Sequence, residues 1–310
     1  GSARIVGVDG TALTYHFVRL NEVAVIAGFQ GIHEPTGRLA TLGRGGSDTS
    51  AVAIAAAINA ERCDIYTDVD GVYTTDPRIV PNARKMEKIS FDELLEMTAN
   101  GCPKPAMRSV EFARTHGVDL HVRSAFTWET GTIVTKEDDT MEQAIVSAVV
   151  HDADEAKVTI GGAADRPGIA ALMFRALADA NINVDLIVQN TSDRGVTDIS
   201  FTVPHSELDA AISICEEHAA DIGATHITSD PAIARVSVVG AGMKSSPGIA
   251  AKMFRVLADN NVNIEMISTS TIRISVVVER SMLETAIRAL HTAFDLDSGQ
   301  DYSAPLPERK

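Results

Sequence analysis

Two short stretches in the first half of this chain hold residue types that could bind and activate a ligand. The first is Thr41-Leu42-Gly43-Arg44-Gly45-Gly46-Ser47-Asp48-Thr49-Ser50, followed by an Ala-rich run from Ala51 to about Ala60. Three glycines let backbone approach a ligand closely, and a helix starting here would turn free amides toward an anion. Ser47 or Asp48 is expected to cap that helix. Arg44 offers a planar fork suited to a carboxylate. Asp48 fits better opposite an ammonium than opposite a phosphate, and an amino acid carries both an ammonium and a carboxylate. In the second stretch Cys63-Asp64-Ile65-Tyr66 reads as a strand that runs into Thr67-Asp68-Val69-Asp70-Gly71-Val72-Tyr73-Thr74-Thr75-Asp76-Pro77-Arg78. Its acidic pair beside Gly71 lacks the ligand spacing and closing Glu of an EF-hand loop, which excludes calcium. Taken singly, each feature has a plainer explanation: a tight turn at the glycines or at Asp76-Pro77, core packing for Tyr73.

Regular elements must position these loops. Val23–Phe29 (Val-Ala-Val-Ile-Ala-Gly-Phe) reads as a fully buried strand ahead of the glycine loop. The second half is organised by a repeat. Pro167-Gly168-Ile169-Ala170-Ala171, Met173-Phe174-Arg175, Leu177-Ala178-Asp179, Asn181 and Asn183 return as Pro247-Gly248-Ile249-Ala250-Ala251, Met253-Phe254-Arg255, Leu257-Ala258-Asp259, Asn261 and Asn263. In each copy an alternating run (Lys157–Ile160; Arg235–Val239) meets a polar loop, and the proline is expected at the first helical position. An amphipathic helix follows, then an extended stretch, a strand (Thr197–Val203; Ile272–Val278) and a second helix (Glu207–Ala220; Ser281–Phe294). That order is βαββα closing to βαββαβ, the split ferredoxin-like pattern. With Asp-x-Pro-Gly at the strand-to-helix loop, about residues 145–296 resemble a pair of ACT domains, which bind regulatory amino acids.

Composition narrows the partners. The 310 residues exceed a single ordinary core, and 45% of them are apolar, as suits a globular protein of two or more domains. A net charge of −15 with no Lys/Arg block argues against nucleic acid. Aromatic residues make up only 5%, too few for a base-stacking platform. No apolar run approaches the roughly 20 residues that span a bilayer, so no membrane partner is expected. Cys63, Cys102 and Cys215 form no CxxC pair or zinc spacing, which points to reduced thiols in the cytoplasm.

Leu42–Ser50 and Thr67–Arg78 together closely resemble the signature of the aspartate kinase family, and Arg108–Arg114 and Val122-Arg123-Ser124 match it too. The resemblance implies the C-terminal part of an amino-acid kinase αβα sandwich over residues 1–143. Two ferredoxin-like ACT domains would follow, 144–230 and 231–310, the latter with a C-terminal tail. It further implies ATP-dependent phosphorylation of the L-aspartate side-chain carboxylate to 4-phospho-L-aspartate, with Mg2+ neutralising the phosphates and no dedicated protein metal site. This is the first step toward lysine, threonine and methionine. By the same analogy Arg44, Ser47 and Asp48 hold aspartate. Thr67, Asp68, Tyr73, Arg78 and Lys104 face ATP. Asp165, Pro167, Gly168, Ile169, Ala170, Gln189, Asn190, Asn263 and Ile264 bind lysine and/or threonine. A homodimer through the ACT domains is implied as well.

The chain departs from the family in several places. The opening strand with its Lys-x-Gly-Gly-Ser motif has no counterpart, so a kinase domain short by roughly a hundred residues is expected. Gly101-Cys102-Pro103-Lys104-Pro105 replaces the usual Gly-small-Lys, leaving Lys104 one residue late. Ile169, Ser246 and Thr271 stand where relatives carry Glu, His and Glu. The competing reading is a non-catalytic amino-acid sensor derived from such a kinase.

Overall fold

The computed structural model describes residues 3–15, 22–137, 145–191 and 195–297. The first region opens with a five-residue helix α1 (Thr11–Tyr15) and a hairpin of β1 (Gln30–His33) and β2 (Arg38–Thr41). It continues through α2 (Gly46–Ala57), β3 (Cys63–Thr67), β4 (Lys88–Ser90), α3 (Phe91–Ala99), α4 (Met107–His116), β5 (Leu120–Ser124) and β6 (Thr132–Thr135). Four strands form one sheet in the order β3-β5-β6-β4. β3 and β5 run parallel, β5 and β6 antiparallel, and β4 and β6 parallel. Val52, Ile65, Leu94, Val110, Leu120 and Val122 join sheet and helices in one core.

Helices α2 and α4 each lead into a parallel strand. Their N-termini therefore lie at the C-terminal edge of the sheet, where ligands of α/β proteins bind. The segment Val23–Phe29 corrects the expectation of a buried strand: it forms no strand, and Val23 and Val25 are 89% and 96% exposed. A central strand needs ladder partners on both sides, and among the described residues this segment gains one backbone bond to another segment, at its last residue, where Phe29 accepts from the Leu42 amide.

The second region is a six-stranded antiparallel sheet with four helices. Its elements are β7 (Ala148–Ala164), α5 (Ile169–Asp179), β8 (Ile187–Thr191), β9 (Val196–Pro204), α6 (Leu208–Ile222), β10 (His226–Val239), α7 (Ile249–Asp259), β11 (Met266–Thr269), β12 (Arg273–Glu279) and α8 (Leu283–Ala293). The strand order is β11-β12-β10-β7-β9-β8. Both central strands are shared between the repeats. Residues 226–230 of β10 pair with 157–161 of β7 in the first module. Beyond an irregularity around Asp230–Arg235, residues 235–239 pair with 148–152 in the second. Pro231, which has no donor, sits at that break. The second module thus takes its outer strand from chain upstream of the first.

The repeated letters have conformational reasons. Gly168 and Gly248 adopt φ of 98° and 100° immediately before α5 and α7, a region that disfavours any side chain. The helices accordingly begin at Ile169 and Ile249. Pro167 and Pro247 stand one residue outside the cap rather than at the first helical position. Asn181 and Asn261, with φ of 59° and 56°, end the same helices in the left-handed conformation that asparagine tolerates best.

The two modules differ in their cores. Met173, Leu177, Ile199, Phe201 and Cys215 build the first from its own residues. The second gathers Val236, Met253, Leu257, Ile287 and Leu290 and also takes in Val80, with Ile79 and Ala83 packed against it, from the first region.

Candidate active site

The glycine loop is held from three sides. Phe29 accepts from the Leu42 amide at 3.0 Å and donates its own to Ser50 Oγ at 3.2 Å. Arg108 donates to the Leu42 carbonyl at 3.0 Å and to the Ala3 carbonyl at 2.8 Å. A Cβ added to Gly45 would meet that of Ala106 at 2.4 Å, so the glycine permits this loop to touch the start of α4. Gly45, at φ 71°, is itself the cap of α2, and no side chain caps that helix. This corrects the expected role of Ser47 and Asp48, which lie inside the first turn. Asp48 instead accepts from the Ala106 amide at 3.2 Å, and Ser47 Oγ donates to its other oxygen at 3.4 Å. Arg44 is exposed beside the open amides of α2. Arg44, Ser47 and Asp48 therefore share one loop at the ligand-binding edge of the sheet.

The nucleotide candidates form a second group. Thr67 ends β3, and its hydroxyl donates to Asp68 at 2.9 Å. That bond, with backbone support and the nearby Lys104 ammonium, holds the Asp68 carboxyl below the usual range. The Tyr73 hydroxyl donates to Asp70 at 2.8 Å. Burial and that carboxylate push the phenol up to about 12. Arg78 folds back on Asp76 with bonds of 2.7 to 3.1 Å and is 84% exposed. The Arg78 guanidinium lowers the Asp76 carboxyl and is itself raised by it. Lys104 is exposed on its Pro-flanked loop. Asp68 is bonded to Thr67, with Lys104 adding only a weak pull on its carboxyl, and Arg78 is paired within its own turn.

Several supporting residues carry no motif and were missed by sequence. Glu93 caps α3 in a reciprocal box with Ser90. It also accepts from Ser147 Oγ and, at 3.2 Å, from the Ala241 amide of the second module. Glu96 pairs with Arg273 at 2.9 Å. His151 on β7 lies close enough to feel Asp76 and Arg78, while burial lowers its imidazole. The Ser90-x-x-Glu93 spacing was the one readable signal among these.

The effector candidates fall into separate places. Asp165, Pro167 and Gly168 form an exposed loop before α5, Ile169 is buried under it, and Ala170 is half-buried. Gln189 and Asn190 are exposed on β8, at one edge of the six-stranded sheet. Asn263 and Ile264 lie just before β11, at the opposite edge. Sheet order therefore keeps these last two pairs apart within one chain. Thr271 lines a cleft of about 1400 Å³ between the two regions, beside Asp92, Glu96 and Glu111.

Residues 2–124 match the amino acid kinase family, and residues 158–218 and 236–294 match the ACT domain. An aspartate kinase of Pseudomonas putida is 50% identical over 297 residues, which span 96% of this chain and 72% of that protein. Escherichia coli aspartokinase III, solved with aspartate and ADP in its R state, is 30% identical with a TM-score of 0.75. That similarity covers 92% of this chain and 64% of the other. The same enzyme solved with lysine and aspartate in its T state gives a TM-score of 0.72, at 30% identity and the same coverage. No helix among the described residues is long and apolar enough to cross a membrane. This chain sets a kinase-type loop pair at one sheet edge ahead of two intertwined ACT modules, and its match to both family models and to these relatives places it among the aspartate kinases.

Proposed function

We propose that this chain binds L-aspartate at the Arg44–Asp48 loop and a nucleotide along Thr67–Arg78, and that it serves transfer of the ATP γ-phosphoryl group to the aspartate side chain. An oxygen of that carboxylate attacks the γ-phosphorus, the bond to the bridging oxygen breaks, and ADP leaves. Such transfer depends mainly on positioning and charge stabilisation. The observation that carries the reading is the α2 N-terminus, left without a side-chain cap next to Arg44 and Asp48 at the C-terminal edge of β3 and β5. Arg44 would take the α-carboxylate and Asp48 the ammonium. Lys104, beside Asp68, would meet phosphate.

Mg2+, when bound, supplies charge neutralisation at the phosphates. The ion would be carried mainly by the nucleotide, and Asp68, whose carboxyl the Thr67 hydroxyl holds below the usual range, is the carboxylate that would meet it.

Lysine or threonine would act at the ACT modules. The exposed edges β8 and β11 carry Ile187 and Ile267, 53% and 46% exposed, beside the two separated groups of effector candidates. Pairing of two chains through their modules would cover those edges and bring the groups together, which supports a homodimer. Three free thiols suit the cytoplasm.

The test is aspartyl hydroxamate formation from ATP, Mg2+, L-aspartate and hydroxylamine. Asp48→Ala is expected to abolish product while leaving the far-ultraviolet circular dichroism spectrum intact. Undiminished product in that variant would remove Asp48 from the site.

A further inference from the structure

The turn that bears Tyr73 and Arg78 is the start of a longer strap, residues 72–86, which leaves the kinase sheet and returns to it. Its base is closed by the Met86 amide on the Val72 carbonyl at 2.8 Å. Its tip carries Val80 into the core of the second ACT module. Midway along, the Thr74 hydroxyl accepts from the Arg84 amide at 3.0 Å and meets His291 Nε2 of α8 at 2.9 Å. Thr74 is 2% exposed and His291 0%.

Every other buried position of α8 is aliphatic: Leu283, Ala286, Ile287 and Leu290. A leucine would fill the His291 site without the desolvation that an imidazole suffers there, and Nδ1 has no partner among the described residues. The bond to Thr74 is therefore what distinguishes histidine at this position. Asn82 Nδ2 to Asp297 and Arg84 Nε to the Leu296 carbonyl, both 3.0 Å, fasten the far arm of the strap to the same module.

We infer that His291 is a positioning residue for the nucleotide loop: through Thr74 it holds the Tyr73–Arg78 turn in place, which makes the second ACT module a structural part of the kinase site. The inference rests on the nucleotide reading proposed above.

Hydrogen exchange of residues 72–86 and titration with Mg-ADP test it on the whole chain. His291→Leu is expected to raise exchange in 72–86 and weaken Mg-ADP roughly 10-fold, the scale of one buried hydrogen bond. His291→Gln, which restores a polar atom, should recover most of both. Thr74→Val, made from the kinase side, should reproduce the His291→Leu result. Wild-type exchange and affinity in both His291→Leu and Thr74→Val would overturn the inference. So would exchange that rises evenly across the second module while affinity for Mg-ADP holds. Failure of the unaltered chain to bind Mg-ADP would instead remove the nucleotide reading, and with it the purpose assigned to His291.

Discussion

The two ACT modules carry the same letters at the same spacing and stand differently toward the kinase region. In the first, Leu177 and its neighbours close a core made of the module's own residues. In the second, the equivalent Leu257 shares its core with Val80 of the kinase strap. Glu93, Glu96 and Thr74 add polar ties to that same module. Duplicate sequence thus yields one module built into the kinase and one joined to it through the shared strands β7 and β10. A motif reports how a unit folds, whereas the residues around it decide what it is coupled to.

The largest effect that would sharpen this contrast comes from cutting the two equivalent leucines, each 0% exposed. Leu177→Ala and Leu257→Ala should each cost about 2–5 kcal/mol in their own module. Urea unfolding followed by alkylation of the Cys63 thiol, which is buried in the kinase-region core, should shift for Leu257→Ala and stay put for Leu177→Ala.

A smaller effect lies at the seam between modules. Arg235, 2% exposed, is shared by Glu155 at 2.7 Å, Asp152 at 3.8 Å and Asp185. Burial pushes the Glu155 carboxyl up to about 7, against the pull of Arg235 and helped by Asp185 and Asp152. The folded state therefore binds this proton more tightly than the unfolded chain. Its contribution is fully present below the ordinary carboxyl range near 4.5 and is lost as pH rises through 7. Chemical denaturation should show stability falling by on the order of 1–3 kcal/mol across that window. Glu155→Gln should flatten the profile.

The smallest of the three concerns Glu93. Glu93→Ala leaves Ser90 capping α3 but removes the returning half of the capping box and the ties to Ser147 and the Ala241 amide, and should lower stability by about 1–2 kcal/mol. Exchange should rise in residues 90–100 and 240–246, with the first module unchanged. An equal rise in the first module would erase the distinction drawn between the two.

Much of this was legible in residues. The repeat, its βαββα order and its helices follow from periodicity that the modules satisfy locally. The glycine and asparagine letters recur because their left-handed φ values recur. The Arg44–Asp48 loop was found where a ligand edge should be. What escaped was set by distant partners. Ser47 and Asp48 look like caps until Gly45 takes that place and Asp48 turns to Ala106. Val23–Phe29 has the composition of a buried strand and no ladder to join. The exchange of strand halves between modules depends on a break near Pro231 that alternation alone does not announce. Thr74 and His291 lie 217 residues apart; the Thr67–Arg78 signature does not mark Thr74 as a partner of α8, and His291 belongs to no motif.

Hydrogen exchange in residues 72–86, compared between Leu177→Ala and Leu257→Ala, tests the central claim most directly. Coupling of the strap to the second module alone predicts faster exchange in Leu257→Ala and wild-type exchange in Leu177→Ala. Equal exchange in the two variants, or faster exchange in Leu177→Ala, would contradict it.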